Sequence, residues 1–220
     1  AYAPNIWDQY RGTFESPTAN HTGVLRLTYQ PSTAHTFDLI WSTRYMNSKF
    51  FFGETFAYTA GIYGRYHINS VLFRDTWIIS PRAINELTLH YLRWRHDEPL
   101  IKTGPAYIYP SISLGRGTFP IKLAEDHYRL VNKFTYNLSD FYGEHVFKAG
   151  FEITRTTSTP WFPYYYYGQF VFDTDTSALP RSATIGIGFT DPYTMNDAEG
   201  HLDGWTVGAF VQDKWTPIPQ

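Results

Sequence analysis

Hydrophobic and polar residues alternate with a period of two over long stretches of this chain. Residues 24–30 put Leu25, Leu27 and Tyr29 on one side and Val24, Arg26 and Thr28 on the other. Residues 36–46 put Phe37, Leu39, Trp41, Thr43 and Tyr45 against Asp38, Ser42 and Arg44. Over 145–155, Phe147, Ala149, Phe151 and Ile153 oppose Lys148, Gly150, Glu152 and Thr154. Over 205–215, Trp205, Val207, Ala209, Val211 and Trp215 share a side that only Asp213 interrupts. Successive side chains of a strand point to opposite faces, so each stretch is a ribbon with one greasy and one polar side. The one acceptable helical stretch, 83–87, reads better as strand because alternation continues after it. These ribbons predict an all-β chain.

Alternation alone fits a soluble sandwich as well as a membrane barrel. Length and punctuation separate the two. The pattern predicts strands over 22–30, 35–46, 64–79, 84–97, 123–137, 145–157, 161–172, 183–189 and 205–216, with one more over 7–15. Most are long for a globular protein, where strands average about 5–6 residues, and suit a bilayer, which needs about 9–11. Short polar turns (Gln30-Pro31-Ser32-Thr33-Ala34, Ser80-Pro81-Arg82-Ala83, Asn137-Leu138-Ser139-Asp140) alternate with long irregular stretches over 47–62, 98–121 and 191–204. Short turns on one side and long loops on the other are the habit of outer-membrane barrels, with the short turns periplasmic. Strand directions then alternate along the chain without a forced step. Trp205 and Trp215 share a face ten residues apart, a separation of roughly 25 Å along the membrane normal for a tilted strand, which suits two aromatic girdles. The expected fold is therefore an antiparallel transmembrane β-barrel segment of about nine or ten strands. Short periplasmic turns and long extracellular loops connect them, and one partial barrel domain spans 1–220.

Composition agrees without deciding. Aromatic residues make up 19% of the chain, with 18 Tyr and 17 Phe, on a slightly polar average. That suits one lipid-facing side and one wet side with girdles between, and it also suits a soluble all-β sugar-binding domain. Lys and Arg number 18 against 20 Asp and Glu, so no basic excess points to nucleic acid. Cysteine is absent, which removes disulfides and thiolate metal sites. No apolar run is long enough for a transmembrane helix. Nucleophile-elbow, phosphate-loop, dinucleotide and His-Glu-x-x-His patterns are all missing. The eight His, among them His67, His90 and His127, show no ligand spacing. Glu86, Glu152 or Asp75 could face a lumen, which leaves a carboxylate pair for glycoside hydrolysis as a minor alternative. Neither an enzyme nor a cofactor is expected.

The segment Gly208-Ala209-Phe210-Val211-Gln212-Asp213-Lys214-Trp215-Thr216-Pro217 resembles a recurrent barrel segment of TonB-dependent outer-membrane receptors. Its nearest likeness is the Oar-like group, whose members often carry a carboxypeptidase-regulatory-like domain before the plug. Ser80-Pro81-Arg82-Ala83-Ile84-Asn85-Glu86-Leu87, His145-Val146-Phe147-Lys148-Ala149-Gly150-Phe151-Glu152 and Leu25-Arg26-Leu27-Thr28-Tyr29-Gln30 are similar to pieces of the same group, and so is His35-Thr36-Phe37. The resemblance implies a barrel of about 22 strands with an N-terminal plug and a TonB box. This sequence carries no plug-like segment, so an interior barrel fragment is expected, completed by missing strands and by its own plug. Outer-membrane lipid and a TonB-type energy-transducing protein are the implied partners, and substrate uptake across the bacterial outer membrane is the implied role. Surface adhesion or export is the alternative within the group, and a soluble carbohydrate-binding or carbohydrate-active domain the alternative outside it.

On alternation, Arg26, Arg44, Arg129, Lys133, Lys148 and Glu152 face the lumen and are candidates for contact with plug or cargo. Trp161 and Tyr164, Tyr165, Tyr166 and Tyr167 are rim aromatics that could stack on a sugar, or simply form a girdle. The acidic loop 191–203, bent at Gly200, offers Asp197, Glu199 and Asp203 as oxygen ligands for calcium. Its spacing is not that of an EF-hand, and a solvated extracellular loop is the plainer reading.

Overall fold

The computed structural model describes residues 7–10, 12–116, 120–139, 141–186 and 198–217. Among these residues eleven strands follow one another: β1 (Thr18–Tyr29), β2 (His35–Phe50), β3 (Ile62–Ser80), β4 (Ala83–Glu98), β5 (Ala106–Ile108), β6 (Ser113–Leu114), β7 (Ile121–Leu138), β8 (Glu144–Trp161), β9 (Gln169–Val171), β10 (Ser182–Thr184) and β11 (Leu202–Thr216). Seven form a wall in the order β1-β2-β3-β4-β7-β8-β11 with every neighbouring pair antiparallel. The other four form a small sheet in the order β10-β9-β5-β6. Wall strands run from 12 to 19 residues, longer than the alternating stretches alone, because pairing continues past the greasy segment toward the long loops.

Residues that pair across neighbouring strands share a face, and the register joins the greasy sides of all seven ribbons. Leu27, Leu39, Phe73, Leu89, Leu130, Ile153 and Val207 form one continuous row. Thr28, Asp38, Arg74, Thr88, Val131, Glu152 and Gly208 form the matching row on the opposite face. Both faces stay open. Leu25, Leu39, Trp41, Leu89 and Phe151 are exposed, and of the buried apolar residues only Ala83 lies in the wall away from its long-loop end. Two stacked sheets with a dry middle, the arrangement a soluble sandwich requires, do not form among the described residues.

Two of the expected wall strands are corrected. Residues 161–172 and 183–189 do not cross with the wall. β8 pairs directly with β11, from Ser158 opposite Leu202 to Glu144 opposite Thr216. The β7–β8 ladder ends at Trp161, two residues before Pro163, and the four tyrosines fold into a turn with Tyr165 at φ 54° and Gly168 at φ 80°. Only the three-residue pieces β9 and β10 remain extended, and 187–189 lie outside the described residues. Removing two strands together preserves parity, so 205–216 still runs in its expected direction. Over the expected strand 7–15 the described residues form a single 3-10 turn, Asp8–Tyr10, and irregular chain from residue 12 onward.

The long connections leave one end of the wall, and their described parts, 51–61, 99–116, 162–186 and 198–201, knit into a cap. β5 of one loop pairs in parallel with β9 of another. The Ala57 N–H donates to the Ser113 carbonyl at 3.0 Å, and the Ser113 N–H to the Thr55 carbonyl at 2.7 Å. Trp7, Ala57 and Ile112 form a small core there with Tyr10, Tyr109 and Leu114 against it, and Tyr109 stacks on Phe172 at 4.2 Å. Burial pushes the Tyr109 phenol above its ordinary value, so it stays neutral. The other end carries the short turns 30–34, 81–82 and 139–143. Among the described residues, β1 and β11 are each paired on one side only.

Candidate functional site

The polar face of the wall carries all six residues expected to face a lumen. Arg26 donates from Nε and Nη2 to Oδ1 of Asp38, at 3.1 and 2.9 Å, and the Thr28 hydroxyl donates to the same oxygen at 2.6 Å. Arg129 and Glu152 form a two-pronged pair at 2.7 Å on both prongs, and the Thr154 hydroxyl donates to Glu152 at 3.3 Å. Lys133 lines a hollow with Arg74, Glu86, Thr88 and Val131. Arg44 donates to the Asn20 side chain at 3.2 Å, and Lys148 stands in register between Thr135 and Gln212. Arg129 and Glu152 meet. The other four are spread over separate rows of the same face, so the arrangement is a charged wall and not a focused pocket.

Nearer the cap, the same face carries groups that alternation did not single out. The Ser70 hydroxyl meets His90 Nε2 at 2.8 Å. His127 sits between Glu125, at 3.2 Å, and the Thr156 hydroxyl, at 3.0 Å. His96 contacts Glu98 at 2.8 Å and stacks on Tyr66 at 4.3 Å, with Trp94 beside it. Their parity along the strand marks the face. Leu92 and Trp94 on that parity make this end look greasy in sequence and hide the pattern.

The rim aromatics separate into two places. Trp161 ends β8 on the greasy face, with Lys122 Nζ 4.9 Å above its ring. Tyr164–Tyr167 sit in the loop that follows and not on a strand top. There Tyr166 meets Tyr167 edge-on at 5.2 Å, and the Tyr165 carbonyl accepts from the N–H groups of Gly168 and Gly186. Of the calcium candidates, Asp197 lies outside the described residues. Asp203 accepts two bonds from Arg155, at 3.1 and 2.6 Å, and Glu199 lies 3.3 Å from His201. Among the described residues no group of three or more His, Asp or Glu is placed to hold a metal ion.

The Arg129 and Glu152 side chains are 47% and 39% exposed, so water screens their pair despite its good geometry. A double-mutant cycle with Arg129→Ala and Glu152→Ala, read by urea titration, is expected to give a coupling of about 0.2–1 kcal/mol. The coupling should shrink as salt is raised. A larger, salt-independent coupling would mean that the pair is shielded from water.

The greasy face is bounded by aromatics at both ends. Toward the cap, Trp205 lies 5.6 Å beneath the Arg155 guanidinium. Toward the short turns, the Trp215 indole N–H donates to the Tyr142 carbonyl at 3.0 Å. A one-layered antiparallel wall, greasy outside and charged inside, with girdles at both borders, is an arrangement that lipid and an enclosed aqueous interior stabilise together. Over residues 1–220 the chain matches the family model described as an outer membrane beta barrel domain.

The chain belongs to this family. The barrel domain resides in the outer membrane, and in such a barrel the greasy face is the one that meets lipid. Its fold is similar to that in the crystal structure of the outer membrane transporter YddB from Escherichia coli, with a TM-score of 0.62 and 11% identity. The likeness covers 90% of the barrel domain and 26% of that chain, so the domain spans about a quarter of that transporter's length. No curated protein matches it.

Proposed function

We propose that this barrel domain forms part of a TonB-dependent receptor of the Oar-like group, which takes up a substrate across the outer membrane without altering it. The observation that carries this reading is the polar face, which holds charged side chains in row after row beneath a cap of interlocked long loops. A lumen lined in this way suits passage of polar cargo, or contact with a plug that fills it. The relative with a similar fold is itself described as an outer-membrane transporter. Among the described residues, β1 and β11 each present one unpaired row of backbone groups, and every unsatisfied group costs several kcal/mol in hydrocarbon. Further strands of the same polypeptide therefore close the barrel, a plug domain occupies its interior, and a TonB-type protein of the inner membrane supplies the energy.

The test is uptake by the native bacterium of whatever nutrients the receptor-deficient strain fails to accumulate. Deleting the TonB-type transducer is expected to reproduce the receptor deletion. A triple variant, Arg129→Ala with Lys133→Ala and Lys148→Ala, should reduce accumulation while leaving the amount of folded protein in the membrane unchanged. Accumulation that is indifferent to the transducer would reject the reading. If surface attachment were then the only trait lost, adhesion would replace transport.

A further inference from the structure

Two places on the lipid-facing side carry the same four residue types in the same register. At the foot of β2 and β3, His35 lies opposite Trp77 and Phe37 opposite Asp75. At the foot of β8 and β11, His145 lies opposite Trp215 and Phe147 opposite Asp213. In both, the imidazole Nδ1 faces the carboxylate, 3.1 Å from Asp75 in one and 2.8 Å from Asp213 in the other. In both, the imidazole lies nearly parallel to the indole, at 5.4 Å and 13° for Trp77 and at 5.9 Å and 9° for Trp215. The phenyl ring flanks it at 5.7 Å for Phe37 and 5.5 Å for Phe147. Both clusters border short turns, 30–34 and 139–143, and so lie at the periplasmic boundary of the bilayer.

An aromatic girdle accounts for the tryptophans and phenylalanines. It does not account for a carboxylate on the lipid-facing side, where charge is disfavoured. The Asp75 and Asp213 side chains are 20% and 36% exposed, so each remains reachable beside its imidazole. A partly exposed carboxylate, with an aromatic ring opposite it in register and an indole two residues along its own strand, is complementary to an ammonium group, through charge-assisted hydrogen bonds and attraction to nearby ring faces. Lipid is the occupant that must cover this surface in the membrane, and phospholipid headgroups lie at this depth. We propose that each cluster is a headgroup site for a phospholipid bearing a primary ammonium, in the periplasmic leaflet. This site assignment depends on membrane residence and the orientation of the short turns, and it is independent of what the barrel transports.

Native mass spectrometry of the full polypeptide tests it. The folded protein is stripped of lipid and then offered phosphatidylethanolamine and phosphatidylglycerol with identical acyl chains. The wild type is expected to retain phosphatidylethanolamine in preference, with two molecules attributable to the clusters. Asp75→Asn and Asp213→Asn should each remove one of them, and the double variant both, while heat-dependent gel mobility reports an intact barrel. Equal retention of the two lipids by the wild type, or an undiminished preference in the folded double variant, would overturn the assignment. If the Asn variants do not fold, Trp77→Leu with Trp215→Leu takes their place, and an unchanged preference there overturns it equally.

Discussion

Leu89→Arg should destabilise the folded barrel by about 2–4 kcal/mol, the cost of a guanidinium near the bilayer midplane on a lipid-facing strand position. Thr88→Arg, one residue earlier, should change stability by no more than about 0.5 kcal/mol, as ordinary surface substitutions do. The contrast follows from register. Leu89 lies in the unbroken apolar row between Phe73 and Leu130, two rungs or more from any charged side chain on its own strand. Thr88 points to the opposite face, between Arg74 and Val131, where a polar hollow already holds Glu86 and Lys133. Urea-driven unfolding of the full polypeptide from phospholipid vesicles, followed by tryptophan fluorescence and gel mobility, measures both. Equal costs at the two positions would contradict the assignment of faces on which the outer-membrane orientation rests.

The second large effect is expected at a turn. Gly143 closes the connection between β7 and β8 at φ 127°, a conformation that side-chain-bearing residues rarely adopt. A Cβ there would lie 2.4 Å from the Thr216 carbonyl and 2.9 Å from the Trp215 indole nitrogen. Gly143→Ala therefore meets about 1–3 kcal/mol of backbone strain together with a clash against the Thr216 backbone, which forms the last rung of the β8–β11 ladder. The indole bond to Tyr142, which ties the periplasmic girdle to this turn, should be lost with it. Gly208→Ala is the matched control, since a Cβ there meets nothing within 4 Å among the described residues. A folding yield for Gly143→Ala equal to that of Gly208→Ala would show that the turn relaxes at little cost.

The wall was readable because two different solvents enforce its alternation. Mid-strand positions that face lipid, Leu39 and Trp41 of β2 and Phe151 and Ile153 of β8, must be greasy, while His35, His145 and Arg155 take the same face only toward its borders, and the six charged residues expected from parity share the polar face. The loops obey no such constraint. Trp161 through Phe172 look like one more aromatic strand, yet Trp161 ends β8, and beyond it Phe170 and Phe172 pack in the cap on Tyr107 and Tyr109. Aromatic density cannot distinguish a lipid girdle from a small loop core. Pro163 and Gly168 were the warning, because such residues commonly break a ladder. The parallel pairing of β5 with β9 joins segments from different loops and leaves no local trace. The paired clusters were hidden for a related reason. His-x-Phe and Asp-x-Trp are unremarkable dyads until folding brings them together across 40 and 68 residues.

The parallel join between the second and third long loops constrains how the outer mouth can move. Neither loop can swing aside alone without tearing the rungs that Tyr107 shares with Phe170 and Ile108 with Val171. The crossing points from wall to loop are stiffened by Pro99 and Pro120, which have no N–H to extend a ladder. The described parts of these two loops are thus tied together, and a displacement of one is passed to the other through the shared rungs.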